Sequence, residues 1–400
     1  MKIAFFVSQF PSVSETFIVN QATALIAAGH TVHIFSRYRN PAMALQHKAA
    51  DEGLLKNTFY LDEITGNRLT KMKQLAVKIL SNRVNSNILG LPKTLFTKRV
   101  SLSGYEYLHY VDKPVYDVLH AHFGVNGNYV AALKKLGLFK KAVFVTTFHG
   151  YDLNAQFAKN DFYTALFTGC KKFTVNSAFS KQKLIRLGCA EKHIHIIPAG
   201  LNTGLFKKAI LPKKEDSLLH LIFVGRLIKL KGPHLFVEIC RLLHANVAAR
   251  FKATIIGAGE MQEELNQLIE KYKLQEIIKM EGAKSQQEII GYLNEADLFI
   301  LPGIPCEGNE EAQGLVIQEA QAMELPVIIS DAGGMPEGMI DGQTGFVVKQ
   351  NDLDGFVKKI ELLAGDADLR KKMGAAGRKF VQEKYDSKIL NEQLVHLYKS

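Results

Sequence analysis

EGNEEAQGLVIQEAQAMELPVIISDAGGMPEGMIDGQTG, running from Glu307 to Gly345, is the stretch on which the fold and the chemistry both turn. It starts as a polar, acidic loop up to Gln313 and passes through Gly314 into a helical pattern. After Pro326 it becomes a short apolar strand, Val327 to Ile329, followed by the Gly333-Gly334 turn. A loop that feeds a helix N-terminus presents backbone N–H groups with no intrahelical partner, at the positive end of the helix dipole. Such a terminus is an anion site, so Gly314, Leu315 and Val316 mark a candidate phosphate cradle.

Within that helix Val316, Glu319, Ala320 and Met323 recur at i, i+3, i+4 and i+7 and so share one face. The face is otherwise apolar, and Glu319 is expected to turn inward. It lies about 7 Å along the axis from Gly314 at 1.5 Å per residue, while Glu311 stays in the loop ahead of the helix. Two carboxylates flanking one phosphate site match the layout of a nucleoside diphosphate sugar, ribose hydroxyls on one side and sugar hydroxyls on the other. The same residues allow a plainer arrangement, with Glu319 at a half-exposed helix edge and Glu311 as a solvated loop charge.

The pair Glu311 and Glu319, followed by EAQAMELPVIISDAGGMPEGMIDGQTGFVV, resembles the signature of the retaining glycosyltransferases of family 4. With the further pieces quoted below, the resemblance extends over nearly the whole chain. It implies an α/β chain of GT-B fold, two facing Rossmann-like domains with parallel sheets and an interdomain cleft. It also implies that Glu319 binds ribose hydroxyls and Glu311 the sugar.

Composition agrees with two globular domains: 400 residues, 47% hydrophobic and 22% charged. The start, MKIAFFVSQFPS, has one lysine and a brief apolar run, which fits a buried first strand better than a signal peptide. No apolar stretch approaches the roughly 18 residues that cross a bilayer. Cys170, Cys189, Cys240 and Cys306 show neither metal-ligand spacing nor a CxxC pair, so a reduced, cytoplasmic chain is expected. Charge is uneven: residues 1–200 hold 25 Lys and Arg against 11 Asp and Glu, a net of +14, whereas residues 201–400 hold 25 against 28, a net of −3. Without a recognition motif or aromatic signature, nucleic acid is not the expected partner. An anionic membrane surface or anionic acceptor is. Lys71, Lys73, Lys78, Arg83, Lys93, Lys98 and Arg99 gather in one apolar-basic stretch between residues 65 and 100, which suits a membrane surface or a solvated helix face.

In chain order, Lys2 to Val7 is a near-continuous apolar strand of the parallel-sheet kind. Phe17 to Ala28 is a helix closed by Gly29, and Thr31 to Phe35 the next strand, a βαβ unit. The loop between them carries SVSETF, where the family often has glycines; this is the form seen in the enzymes of bacterial exopolysaccharide assembly that the chain resembles. Ser14 and Glu15 are also placed to cap the helix. Strands are predicted at Asp117–Ala121, Ala142–Thr147, Phe173–Ser177 and Ile194–Ile197. The segment Thr147-Phe148-His149-Gly150-Tyr151-Asp152 resembles the family motif whose histidine touches the donor sugar near the reacting carbon. His149 also stands at a strand end, where loops carry function.

A second βα series follows the polar linker KKAILPKKEDS, Lys207 to Ser217. Leu219–Val224 is a strand, and Pro233 suits the first position of a helix. The resemblance assigns Arg226 and Lys231, in the loop between, to the donor diphosphate, and two cations beside a helix N-terminus do match a dianion that gains charge as it leaves. Ala253-Thr-Ile-Ile-Gly257-Ala-Gly259 lacks the third glycine of a dinucleotide fingerprint, Gln262 standing in its place, and acidic residues follow. After the strand Ile278–Gly282, the family holds the nucleobase on backbone equivalent to Ala283 and Lys284. Strand Ala296–Pro302 leads into the opening stretch, and Asp352–Gly374 is predicted helical.

The expected domains are 1–203 for the acceptor, 204–379 for the nucleotide sugar, and a helix at 380–400 crossing back onto the first. The expected reaction is retaining, metal-independent transfer of a hexose from a UDP- or GDP-linked donor to a lipid-linked saccharide at the inner face of the plasma membrane, with no cofactor. His149, Glu311, Arg226 and Lys231 are its candidate catalytic residues. A sugar-nucleotide epimerase of the same fold, a dinucleotide-linked oxidoreductase and a binding module without turnover remain as alternatives.

Overall fold

The computed structural model describes residues 1–12, 15–39, 52–61, 109–110, 113–154, 156–157, 161–209, 218–245 and 250–400. Ser14, the basic stretch between residues 65 and 100, and most of the linker before Ser217 lie outside the described residues.

Two parallel sheets carry the fold. The first has seven strands: β1 (Lys2–Phe10), β2 (Thr31–Arg39), β3 (Thr58–Tyr60), β4 (Val118–His122), β5 (Val143–Phe148), β6 (Lys172–Val175) and β7 (Ile194–Ile196), in the order β3-β2-β1-β4-β5-β6-β7. The second has six: β8 (Leu219–Val224), β9 (Phe251–Ile256), β10 (Ile278–Gly282), β11 (Leu298–Leu301), β12 (Val327–Ser330) and β13 (Gly345–Val348), in the order β10-β9-β8-β11-β12-β13. In both, the order reverses beside the first strand, and such a switch point opens a crevice at the carboxyl ends of the strands. All the candidate site residues fall on those ends or on the loops and helix that follow them.

The near-continuous apolar runs exist because both sheet faces are covered. Ile3, Phe5 and Val7 of β1 pack with Leu25, Leu390 and Leu394, while Ala4 and Phe6 pack on the opposite face with Leu119, Val130 and Leu133. The period of two along a strand divides one apolar run between two layers. The second sheet shares a single cluster running from Leu221 through Phe299 and Ile328 to Ile360.

The end of the chain differs from the expectation of one helix at 380–400. Ala367–Lys384 is a helix packed on the second sheet's layer, and Tyr385 and Asp386 interrupt it before a second helix, Ser387–Lys399. Asp386 causes the break by accepting a hydrogen bond from Lys388 N–H at 2.9 Å, a helix-starting cap. The 352–374 helix is likewise two, broken where Asp366 caps the second through Leu369 N–H at 2.8 Å. The two chain segments that pass between the sheets lie against each other: Leu201 N–H donates to Tyr385 O at 3.0 Å and Ser387 N–H to Leu201 O at 2.9 Å. The helix Ser387–Lys399 then packs beside Thr16–Ala27 on the first sheet, burying Leu390, Leu394, Leu397 and Tyr398.

Tyr398 is 2% exposed and its hydroxyl pairs with His120 Nδ1 at 2.6 Å. Tyr398→Phe leaves that buried nitrogen without its partner and is expected to cost about 1–3 kcal/mol. Urea denaturation monitored on the first domain measures it.

Candidate active site

The second domain's half of the cleft is built around one ion pair. Lys231 Nζ lies 2.6 Å from Glu311 Oε2, both side chains largely buried, and Gly314 N–H donates to Glu311 Oε1 at 3.1 Å. Burial alone would raise the Glu311 carboxyl, but Lys231, by charge and by hydrogen bond, then Arg226 and Gly314 N–H, together hold it below the usual range. Lys231 comes into reach through a short turn, Lys229–Lys231, ending at Gly232 with φ +70°. A Cβ at Gly232 would sit 2.0 Å from Pro302 O, so only glycine lets this loop lie against the end of β11. Arg226 follows β8, is exposed, and makes no ion pair with a described residue.

From the other side the helix Leu315–Ala322 starts at Gly314 without a side-chain cap. Among the described residues nothing accepts from the N–H groups of Leu315 and Val316. Two unpaired amides, a helix dipole and two cations converge there, which suits a diphosphate.

Of the expected face, Ala320 and Met323 are buried, whereas Val316 and Glu319 are half-buried. Ile317, Gln318, Ala320, Gln321 and Ala322 are buried, whereas Leu315, Val316 and Glu319 are half-buried on the cleft side. The buried face is partly polar because Gln318 and Gln321 reach the Gly338 carbonyl, at 3.2 and 2.7 Å. An i, i+3, i+4 pattern cannot reveal which glutamine finds a backbone partner. The Glu319 carboxyl has no hydrogen-bond partner among the described residues; burial pushes it up to about 7, with Lys231 pulling the other way. Ala283 and Lys284 follow β10 on the same carboxyl edge, next to Gly257, whose N–H donates to Gly282 O at 2.9 Å. Lys284 there faces Glu281 at 3.7 Å.

The first domain's half is centred on His149. Asp152, fully buried, accepts from Gly124 N–H at 2.8 Å and from His149 N–H and Gly150 N–H at 3.0 Å each. Burial raises its carboxyl to about 6, and these backbone donors oppose the rise. The loop geometry of His149 therefore depends on Asp152. A Cβ at Gly150, where φ is +128°, would lie 2.8 Å from Ala312 Cβ, so this glycine lets His149 approach the loop carrying Glu311.

The imidazole itself stacks in a ladder: His120 and His122 have centroids 4.4 Å apart, His122 and His149 5.4 Å. His149 Nε2 meets His122 Nδ1 at 3.2 Å, and Phe17 and Phe123 lie against the ring at 4.5 and 4.7 Å. Burial drives His120 and His149 down to about 3, so the ladder is neutral. Both ring nitrogens of His149 are engaged or enclosed within the first domain, and a hydrogen bond from them to a sugar requires the ring to leave His122. The alternation in His120-Ala121-His122 was the sequence signal for the ladder, since i and i+2 share one face of a strand.

Several residues that close the cleft carried no motif. Gln313, 4% exposed, clasps Ala199 across the cleft, Oε1 accepting from its N–H and Nε2 donating to its carbonyl, both at 2.8 Å. Ser177 Oγ donates to Ala312 O at 2.7 Å, and Glu337 accepts from Ala178 and Phe179 N–H at 2.7 and 2.8 Å. Lys183 pairs with Glu310 at 3.0 Å, and Asn154 hydrogen-bonds Asn309. Among the described residues no group of three His, Cys, Asp or Glu is placed to hold a metal ion, and no helix is long and apolar enough to cross a membrane.

The raised Glu319 carboxyl has a consequence for stability. Its folded value near 7 exceeds the ordinary 4.5, so the native state holds the proton more tightly and stability contributed by this group falls as pH rises between those values. Glu319→Gln is expected to leave stability unchanged below about pH 4.5 and to raise it at pH 8 by about 1–3 kcal/mol. Thermal unfolding of both proteins at the two pH values measures the difference.

Comparison with known proteins agrees with this architecture. The Glycosyltransferase Family 4 model matches residues 14–205 and the Glycosyl transferases group 1 model residues 206–380. WcaL of Salmonella typhimurium, whose name places it in colanic acid biosynthesis, is 30% identical, with 99% of each chain covered. The amylovoran biosynthesis glycosyltransferase AmsK of Erwinia amylovora is also 30% identical, with 99% of each covered. Among solved structures, Anabaena HepE in complex with UDP and glucose superposes with a TM-score of 0.72 at 15% identity, over 99% of this chain and 98% of that one. A glycosyltransferase of Rickettsia africae does so at 0.72 and 22% identity, over 100% and 97%. With the two family models end to end and relatives matched along its whole length, the chain belongs to the family 4 glycosyltransferases of GT-B fold.

Proposed function

We propose that this glycosyltransferase moves a hexose, with retention of configuration, from a UDP- or GDP-linked donor to a lipid-linked saccharide in the assembly of a bacterial extracellular polysaccharide. The observation that carries the reading is the convergence of Arg226, Lys231 and the free N–H groups of Leu315 and Val316 between two carboxylates, Glu311 and Glu319. The relatives named for colanic acid and amylovoran biosynthesis support the polysaccharide.

In this reading the diphosphate lies on the helix N-terminus and draws Lys231 toward it, which releases Glu311 to hold sugar hydroxyls. Glu319 binds the ribose diol, and the backbone of Ala283 and Lys284 the base. His149 turns from His122 to hydrogen-bond the sugar near its anomeric carbon. The bond from that carbon to the diphosphate oxygen breaks, the acceptor oxygen bonds to the carbon, and the acceptor proton ends on the diphosphate. Negative charge on the leaving group grows along the way, and preorganised cations and amides stabilise it most at the transition state. The positive charge of Arg226 and Lys231 supports a reaction that runs without a divalent cation.

The test is release of nucleoside diphosphate from UDP-, GDP- and ADP-sugars in the presence of a saccharide acceptor and EDTA. Turnover of one donor in EDTA is expected. Lys231→Ala and Arg226→Ala should each lower kcat more than they raise KM, with a barrier increase of about 2–4 kcal/mol. Interconversion of the donor sugar without release, binding without turnover, activity that EDTA abolishes and Mg²⁺ or Mn²⁺ restores, or a change in KM alone would each overturn the corresponding part.

The acceptor domain 1–203 also carries the basic half of the chain, a net of +14 over residues 1–200. Each basic residue near an anionic bilayer contributes about 1 kcal/mol, and the attraction fades within a Debye length of about 8 Å at physiological salt. Peripheral binding at the cytoplasmic leaflet is therefore part of the reading. The protein is expected to sediment with anionic liposomes at low salt and to be released at about 0.5 M NaCl, with charge reversal at Lys71, Lys73 and Lys78 weakening it. Binding indifferent to salt, or none at any salt, would remove the membrane from the reading.

A further inference from the structure

Beside His149, at the carboxyl edge of the first sheet and next to the segment Ile197–Gly200, lies a partly open cavity of about 30 Å³ lined by Gln21, His149, Asn176 and Asn391 among others. Its polar atoms share one property. Gln21 Oε1, His149 Nδ1, Asn176 Oδ1 and Asn391 Oδ1 are all fully enclosed, and none has a hydrogen-bond partner among the described residues. Asn176 and Asn391 are each 8% exposed. Asn391 cannot turn its amide round freely, because its Nδ2 already donates to Ser387 O at 2.7 Å. Each such group left unmatched would cost about 1–3 kcal/mol, and four converging on one space are a built polar site.

We propose that this cavity binds two ordered water molecules, which hold His149 as the tautomer protonated on Nδ1 and make Asn391, Asn176 and Gln21 its positioning residues. The volume fits, since one enclosed water needs about 10–15 Å³. The hydrogen count fits as well. Two waters have four O–H groups; one joins them to each other, and three remain for the three amide oxygens. The lone pair left on one water accepts from His149 Nδ1–H. Its Nε2 then accepts from His122 Nδ1–H across the 3.2 Å contact. The opposite tautomer would push the His122 proton onto its Nε2, which is enclosed with no described partner, and a buried N–H without an acceptor is rare in folded proteins. A metal cation would satisfy the amide oxygens but would repel His149 Nδ1–H.

Asn391 lies on the helix that crosses back from the second domain, so this helix takes part in orienting the candidate catalytic ring. The test uses the full chain with ¹⁵N-labelled histidine, the His149 signals being identified by their loss in His149→Gln, together with a crystal structure that resolves ordered water. Expected are two waters in the cavity and a His149 protonated at Nδ1 and bare at Nε2. Asn391→Leu should displace the waters and shift or broaden the His149 signals. Where that variant does not fold, Gln21→Leu is read in the same way. A His149 protonated at Nε2, an anomalous peak in the cavity after a rubidium soak, or a variant that folds and leaves the His149 signals in place would overturn the proposal.

Discussion

The ion pair between Lys231 and Glu311 is the constraint around which the cleft is arranged. A carboxylate taken this far from water is stable as an anion only with a cation beside it and further hydrogen bonds on its free oxygen. Lys231 supplies the first and Gly314 N–H the second. Meeting both needs requires the loop after β8 to lie against the end of β11, hence Gly232, and the Glu311 loop to run directly into a helix N-terminus. The pair also keeps a positive charge beside the amides of Leu315 and Val316, where an anion would otherwise have only the helix dipole. Glu319, with no partner of its own, is lifted toward neutrality by the same burial that Glu311 survives through Lys231.

Several of the contacts between the two domains go to backbone groups. Gln313 reads both polar groups of Ala199, Ser177 reads Ala312, and Glu337 occupies the start of the helix Ala178–Arg186. Contacts of this kind have strict geometry, so they specify one relative position of the domains. The continuous connection is elsewhere, where residues 201 and 385–387 pair and the last helix returns to pack under β1. That helix also ties the chain terminus to the histidine ladder through Tyr398 and His120.

On the first domain's side, rigidity comes from neutral rings and one buried carboxylate. Asp152 gathers three backbone N–H groups and so shapes the loop that brings Gly150 against Ala312. His120, His122 and His149 stand in the file produced by a strand alternation and a neighbouring strand end, and their burial keeps them uncharged. Around His149 the first domain's wall is thus aromatic and neutral, facing the charged wall of Lys231 and Glu311.

The sequence alone determined what local pattern determines: apolar runs such as IAFFV at residues 3–7 that demand two covered faces, the loop-to-helix junction at Gly314, the glutamates either side of it, and the family. Its errors lie where a partner distant in sequence decides the outcome. The 380–400 helix broke at Asp386 because an aspartate at that point could cap a new helix beside Leu201. On the Leu315–Ala322 helix the buried side also takes in Gln318 and Gln321, because their amides found the Gly338 carbonyl. No spacing rule shows that Lys231 and Glu311, 80 residues apart, would pair, or that Gln313 would clasp Ala199. Such contacts exist only once two sheets have set their carboxyl edges face to face, because hydrogen bonds and ion pairs act over a few ångströms of space and have no reach along the chain.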